Sequence, residues 1–458
     1  MRQAVLTPID LPDFGSPSGD PRLGRQTYEQ RGLRLAARMA AASYDALVIY
    51  GDREHVANIA WATGHDPRFE EAICVVTQAR VVLLLGNEGY PYAEAAEGIF
   101  ERVLWQPLSL MGQPRDKSRA LPEVLREAGL TSGMKIGLAG WKGFETEDGV
   151  FDPHWFETPH YLVEALRGFG AVENAALLFM HPEHGLRAIN EAEQLAAFEC
   201  AATRTSTAVR DFIHGVKPGM TEHRAVENMK LDGFMQSVHI NMCSGPRAKY
   251  GLPSPTERVI ERGDPIVVGH GLMGALNCRA GWMVASQEEL PPAIQDYVGK
   301  LVAPYFAAAV AWYETLGIGV TGGALYDAVM SRLGDPFFGI GLNPGHLIHL
   351  DEWLHSPVRK GGAQKLASGM ALQCDIIPAT GTAYFTSNIE DGVGLADGAL
   401  RDEMAARFPQ NWSRITRRRA FMIDVLGIRL KPEVLPFSNI PAWLPPFWLA
   451  SEKAMAMR

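Results

Sequence analysis

The residue types best suited to acid–base chemistry crowd into one segment, PGHLIHLDEW (344–353), where His346, His349, Asp351 and Glu352 stand close together. A histidine beside carboxylates can be held in one tautomer with its pKa raised, which suits proton transfer near neutral pH. The same residues also read as rim charges and hydrogen-bonded loop residues. Thiolate chemistry is not signalled. The 5 cysteines, Cys74, Cys200, Cys243, Cys278 and Cys374, are odd in number, far apart and never in a Cys-x-x-Cys pair, so neither a disulfide framework nor a cysteine zinc site is expected.

A chain of 458 residues with 47% hydrophobic residues exceeds one compact core and predicts about two or three domains. Its 43 Lys+Arg against 52 Asp+Glu leave a net charge of -9, which offers no general attraction for nucleic acid or anionic lipid. MRQAVLTPIDLPDFGSPSGDPRLG (1–24) lacks a sustained apolar core, and no run of 18 apolar residues follows. A cytoplasmic protein without a membrane span is the expectation.

Periodicity supplies the elements that must carry the chemistry. Residues 25–43 pattern as an amphipathic helix, and 46–51, 72–77, 80–86 and 135–140 as strands, with a helix near 117–128. A polar linker, 181–194, then opens a long helix from Glu191 to about His214, which divides the chain into domains 1–185 and 186–458. In the second domain, 216–234 and 316–338 echo one another, with Thr221 and Thr321 as N-caps of matching helices. Strands are expected within 265–271, 275–285, 369–378 and 382–396, which with outer helices make an α+β domain. Arg417, Arg418 and Arg419 read as a solvated helix face, and the aromatic tail NIPAWLPPFWLA (439–450) as packing on the body or on a second subunit.

Several segments together resemble the pita-bread family, which includes methionine aminopeptidase, aminopeptidase P, prolidase, creatinase and a dimethylsulfoniopropionate lyase. ANIAWATGHDPRFEE (57–71) is similar to a segment of the family's N-terminal domain. LRAINEAEQ, PGMTE, RGDPIVVGHG, PGHLIHLDEW, GMALQCDIIP and NIEDGV follow in the family's order and spacing. The resemblance implies an α+β fold, with a C-terminal pita-bread domain preceded by a smaller α/β creatinase-like N-terminal domain. Family peptidases hold two divalent metals with two Asp, one His and two Glu. By resemblance the two Asp positions fall on Gly269 and Ala280, which have no ligating side chain, while the His falls on His346 and the two Glu on Asp375 and Glu390.

One His and two carboxylates cannot readily hold two ions about 3.5–4 Å apart. They match a mononuclear Zn, Mn or Fe site, or a metal-free acid–base set of the kind the resemblance to creatinase implies. Arg279, adjacent to the Ala280 position, reads either as a substrate-carboxylate anchor, if a bulge turns it inward, or as an arginine paired outside the pocket. His270 is expected in the core or an interface, and Trp353 and Leu252 stand where family members carry histidines. Arg247 and Tyr250 are pocket or structural residues. The family's homodimers imply that His65, Asp66, Arg68 and Glu70 contact substrate across an interface, beside the alternative of a polar turn.

The leading expectation is a creatinase-like or peptidase-like hydrolase that cleaves a carbon–nitrogen bond in a small polar substrate. His346, Asp375 and Glu390 would act with help from His349 or Glu352. Two others stay open: a lyase, in which Glu352 or His349 removes a proton while Arg279 anchors a carboxylate, and a binding module that has lost its chemistry.

Overall fold

The computed structural model describes residues 2–19, 21–147 and 149–458. The chain divides into two compact units, 22–188 and 1–21 together with 189–458. The division at 185/186 had left residues 1–21 with the N-terminal domain. They belong instead to the second unit, because strand β1 (Ala4–Pro8) pairs antiparallel with β15 (Lys453–Met457), whose backbone groups would otherwise lack partners.

The 22–188 unit is α/β. Its strands are β2 (Ala46–Gly51), β3 (Ala72–Thr77), β4 (Val81–Leu85), β5 (Glu101–Leu104), β6 (Met134–Ala139) and β7 (Gly170–Asn174). They form one sheet in the order β5-β4-β3-β2-β6-β7. The apolar runs predicted as strands here are buried along nearly their full length, as expected of strands covered on both faces. Val124 and Leu125 of the helix Leu121–Glu127, with Leu162 and Leu166 of His160–Arg167, pack onto Val48, Val75 and Leu84. The helix Arg25–Ala41 buries Thr27, Arg31, Leu35 and Met39, a single stripe at i,i+4 spacing.

The second unit is built on an antiparallel sheet of β8 (Val238–Ser244), β9 (Pro265–Leu272), β10 (Ala275–Trp282), β11 (His346–Leu347), β12 (Ala371–Ile376), β13 (Asn388–Leu395) and β14 (Val434–Pro436). The order is β11-β12-β13-β10-β9-β8, with β14 also on β13. The helix Ala192–Gly215 covers one face, where Thr205 Oγ1 donates to Asn277 Oδ1 at 2.6 Å. Thr221 and Thr321 both cap helices as expected, accepting from the amides of Arg224 and Ala324. Both also make a single β-bridge, to Val259 and Lys365, so the echo in sequence is an echo in local structure.

Two expectations about the C-terminal segment resolve differently. The aromatic tail packs on the body of its own unit, with Ile440, Trp443, Leu444 and Trp448 all buried. The arginine run is solvated only in part: Arg417 is exposed and Arg419 half-buried, but Arg418 is fully buried, because Glu199 on the long helix accepts from it at 2.6 Å and from Arg414 at 2.5 Å. Among the described residues, no helix is long and apolar enough to cross a membrane.

Candidate active site

Strand register assembles the site. Asn241, Gly269, Cys278, Glu390 and Asp375 are successive cross-strand partners on β8, β9, β10, β13 and β12, so they form one row across the sheet. Directly opposed residues of an antiparallel pair point to the same face. His346 on β11 pairs with Gln373, two residues from Asp375, and therefore shares that face. The loop after β11 returns Glu352 to it.

His346 is fully buried, and its Nε2 lies 2.9 Å from Glu352 Oε1 and 3.9 Å from Asp375 Oδ2. Its Nδ1 donates to the Leu347 carbonyl at 3.1 Å, which directs Nε2 at the carboxylates, while Trp353 stacks on the ring at 4.2 Å. Ligand atoms of His346, Glu352 and Glu390 all lie within 4.8 Å of one another. Asp375 Oδ1 is buried without a hydrogen-bond partner in the protein. The Glu352 side chain is 22% exposed and is the member that solvent reaches.

The electrostatics follow from crowding three carboxylates around one imidazole in a dry site. Burial pushes the Asp375 carboxyl up to about 6, opposed by His346 and reinforced by Glu352. Burial, then Asp375 and Glu352, hold Glu390 well above the usual carboxylate range. Burial alone would lower His346, but Glu352 and Asp375 outweigh it and hold the imidazole above its ordinary value. Such a set favours a proton or a cation among its members. The Cys278 thiol is buried beside Glu390 and is raised by that burial and by the Glu390 charge.

The structure brings together His346, Glu352, Asp375 and Glu390. His349 is buried with its ring edge-to-face on Phe198 of the long helix, 5.2 Å between centroids, so it packs against the helical layer. Arg279 is not a substrate anchor. No bulge shifts its register, so it faces the helix-covered side, where Nη2 reaches Asp391 Oδ2 at 2.7 Å and Nε donates to the Trp443 carbonyl at 2.8 Å. His270, also on that side, is buried. Arg247 pairs with the buried Glu222, a structural role, and Tyr250 stands 62% exposed at the end of a short 3-10 helix. His65, Asp66, Arg68 and Glu70 belong to the 22–188 unit, where His65 and Glu70 are buried.

The residues expected as a metal set, His346, Asp375 and Glu390, lie together, and the three ligand atoms within 4.8 Å of one another are those of His346, Glu352 and Glu390, with Asp375 Oδ2 3.9 Å from His346 Nε2. The chain folds back within six residues of His346, which strand-based reading cannot show. Cys278, Asn241 and Gln373 are face residues that the sequence reading passed over. Alternation was the available signal, since Cys278 is two residues from Ala280 and Gln373 two from Asp375.

Residues 31–168 match the Creatinase/Prolidase N-terminal domain. Comparison with curated proteins finds no match. Among solved structures, the chain is similar to an Xaa-Pro dipeptidase from Bacillus anthracis, with TM-score 0.61, 15% identity and coverage of 81% of this chain and 96% of that one. A prolidase from Thermococcus sibiricus gives TM-score 0.63 and 17% identity, covering 81% and 95%. An X-Pro aminopeptidase from Thermotoga maritima gives 0.60 and 16%, covering 80% and 95%. Likeness in structure at such low identity, joined to the N-terminal match and the sheet described above, identifies the chain as an α+β protein of the pita-bread fold, preceded by a creatinase/prolidase-type N-terminal domain.

Proposed function

We propose that the chain is a peptidase-like hydrolase that cleaves a carbon–nitrogen bond in a small polar substrate, at a site that is mononuclear or metal-free. The observation that carries this reading is the convergence of Glu390, Asp375, His346 and Glu352 on one sheet face. The donor set fits one divalent ion: His346, Glu352 and Glu390 would hold it, with the unpartnered Asp375 Oδ1 beside them. When bound, the ion would polarise a substrate carbonyl or acidify a bound water.

The protein's own groups can do the proton work. In the metal-free form, with Nδ1 donating to Leu347 and Nε2 facing Glu352, His346 is set up as an imidazolium, a proton donor for a leaving nitrogen. Glu352, reached by solvent, is placed to take a proton from attacking water. Asp375 and Glu390, with their pKa values raised, supply the neutralising protons or hold the ion. Trp353, stacked on His346, restricts the ring to this orientation.

The elimination reading loses support, because Arg279, its carboxylate anchor, is committed to Asp391 on the other face. Metal analysis of protein purified without chelator tests the proposal together with turnover of Xaa-Pro and N-amidino substrates. One ion per subunit or none is expected, with hydrolysis lost in His346→Ala. Two tightly bound ions, or full activity in that variant, would sink it.

A further inference from the structure

The second unit contains a cleft of about 300 Å³ whose wall includes none of the hydrolytic residues. Ser18, Cys200, Arg407, Gln410, Asn411 and Arg414 line it. Arg414 is 4% exposed, and its Nε and Nη2 donate to Glu199 at 2.8 and 2.5 Å. Its Nη1 meets no acceptor among the described residues, yet it is not sealed from solvent. A guanidinium carries several donors in a fixed fork, so a buried one with a free nitrogen at a cleft wall can take an acceptor that enters from outside.

The charge behind that wall is unbalanced. Glu199, fully buried, is shared by the guanidiniums of Arg414 and the fully buried Arg418, two positive charges against one negative. The other side-chain partners of Arg418, Thr203 and Asn439, are neutral. Burial, opposed by Glu199 and helped by the repulsion of Arg414, holds Arg418 below the usual guanidinium range. Buried charge without a counter-charge is costly, and Arg414 is the member of this set that lines the cleft.

Helix geometry adds donors at the same place. The helix Pro409–Ala420 begins on this wall, and the first-turn amides of Gln410 and Asn411 have no acceptor within it. Arg414 follows Gln410 by one turn, so the two share a helix face, and a helical side chain leans toward the N-terminus, back over that turn. Asn411 Nδ2 and Arg414 Nη2 both donate to Glu199 Oε2, at 2.7 and 2.5 Å, which fixes their relation. Among the described residues no carboxylate lines the cleft, and Arg407 is committed to Glu193 and Glu403 and adds little. A tetrahedral oxyanion matches separate guanidinium and amide donors better than a carboxylate with its two oxygens. The volume stands at the lower end of the ~300–1,000 Å³ usual for small-molecule sites, which leaves room beyond one phosphate.

We propose that this cleft binds a phosphate group, whose oxygens accept from Arg414 Nη1 and from the amides of Gln410 and Asn411. Calorimetric titration of the full chain with inorganic phosphate and with acetate, in a dilute buffer free of other oxyanions, tests it. Phosphate should saturate below ~10 mM and bind at least tenfold more tightly than acetate. Hydrogen exchange at the amides of Gln410 and Asn411 should slow when phosphate is added, in wild type and in His346→Ala alike, which separates this site from the hydrolytic one. Arg414→Met leaves Glu199 in a neutral pair with Arg418, so the fold should hold, and phosphate binding should weaken tenfold or more. If that variant does not fold, Arg414→Lys, whose single ammonium cannot hold Glu199 and reach the cleft at once, should show the loss instead. Glycerol phosphate binding more tightly than inorganic phosphate would mark a phosphate monoester as the occupant, and the reverse would mark free phosphate; either supports the site. Equal binding of phosphate and acetate, unaltered exchange at 410 and 411, phosphate affinity unchanged in a folded Arg414 variant, or no saturation by ~10 mM would each overturn the proposal.

Discussion

The two halves of one sheet face are chemically opposite. On β11, β12 and β13 the face carries His346, Asp375 and Glu390, closed by Glu352. On β8, β9 and β10 the same face carries Asn241, Gly269 and Cys278, and beyond them Cys243, Val267 and Ala280 pack with Ala248 as a small apolar cluster. The backbone is continuous from one half to the other. Charge stops at Glu390, where Cys278 takes the place next to it. The lesson is that this sheet can present one polar centre and one apolar wall without any change of strand geometry. A second ion on the apolar half would have to shed its hydration with no carboxylate to replace it.

The sharpest way to break this contrast is to remove the polar half. His346→Ala or Glu390→Gln should lower kcat by about 10²–10⁴-fold, the usual worth of a positioned acid or base, with little change in fold by circular dichroism. Equivalent losses from Cys278→Ser would show that the two halves are not functionally distinct.

The back of the apolar half comes next. Arg279→Met leaves Asp391, 1% exposed, without its cation, and should cost about 3–5 kcal/mol in denaturant unfolding. Pairing it with Asp391→Asn should recover part of that loss. Unchanged stability in Arg279→Met would contradict a structural role.

Making the apolar half polar should be resisted by its packing. A Cβ at position 269 would lie 2.5 Å from Cys278 Sγ, so Gly269→Asp should destabilise by about 1–3 kcal/mol. Combined with Cys278→Ala and Ala280→Asp, it should raise the number of bound divalent ions by one, measured by elemental analysis. Failure of that triple variant to gain an ion would show that more than the missing carboxylates separates the halves.

The smallest effect is on pH dependence. Burial lowers His270 to about 4, with Asp232 opposing, and Arg204, Asp211 and Lys230 line the adjacent pocket. Because the folded state releases this proton more readily than the unfolded chain, stability is full above about pH 6.5 and declines as pH falls toward 4. His270→Asn should flatten the part of the melting-temperature profile between those values. An identical slope in wild type and variant would assign the decline elsewhere.

Much of the fold was legible because strands buried on both sides read as uninterrupted apolar runs. Residues 46–51 and 72–77 form strands at the boundaries their composition predicted. Capping chemistry located Thr221 and Thr321 for the same local reason, a side-chain oxygen within reach of its own helix. Pairings between distant segments were not legible. Residues 1–21 were placed with the wrong unit because a β1–β15 pair joins the two ends of the chain. Arg418 looked solvated because its partner, Glu199, lies on a helix more than 200 residues earlier.

The candidate site divides the same way. Residue identity and alternation by themselves determined that His346, Asp375 and Glu390 could share a face, since a period of two is a property of any extended strand. Only the tertiary structure decided that Glu352 rather than His349 completes the set, that Arg279 turns away to Asp391, and that Cys278 adjoins Glu390. Those outcomes depend on where loops return and on which strands become neighbours. Both are settled by burying apolar surface and pairing polar groups over the whole domain, and no local stretch of sequence contains that balance.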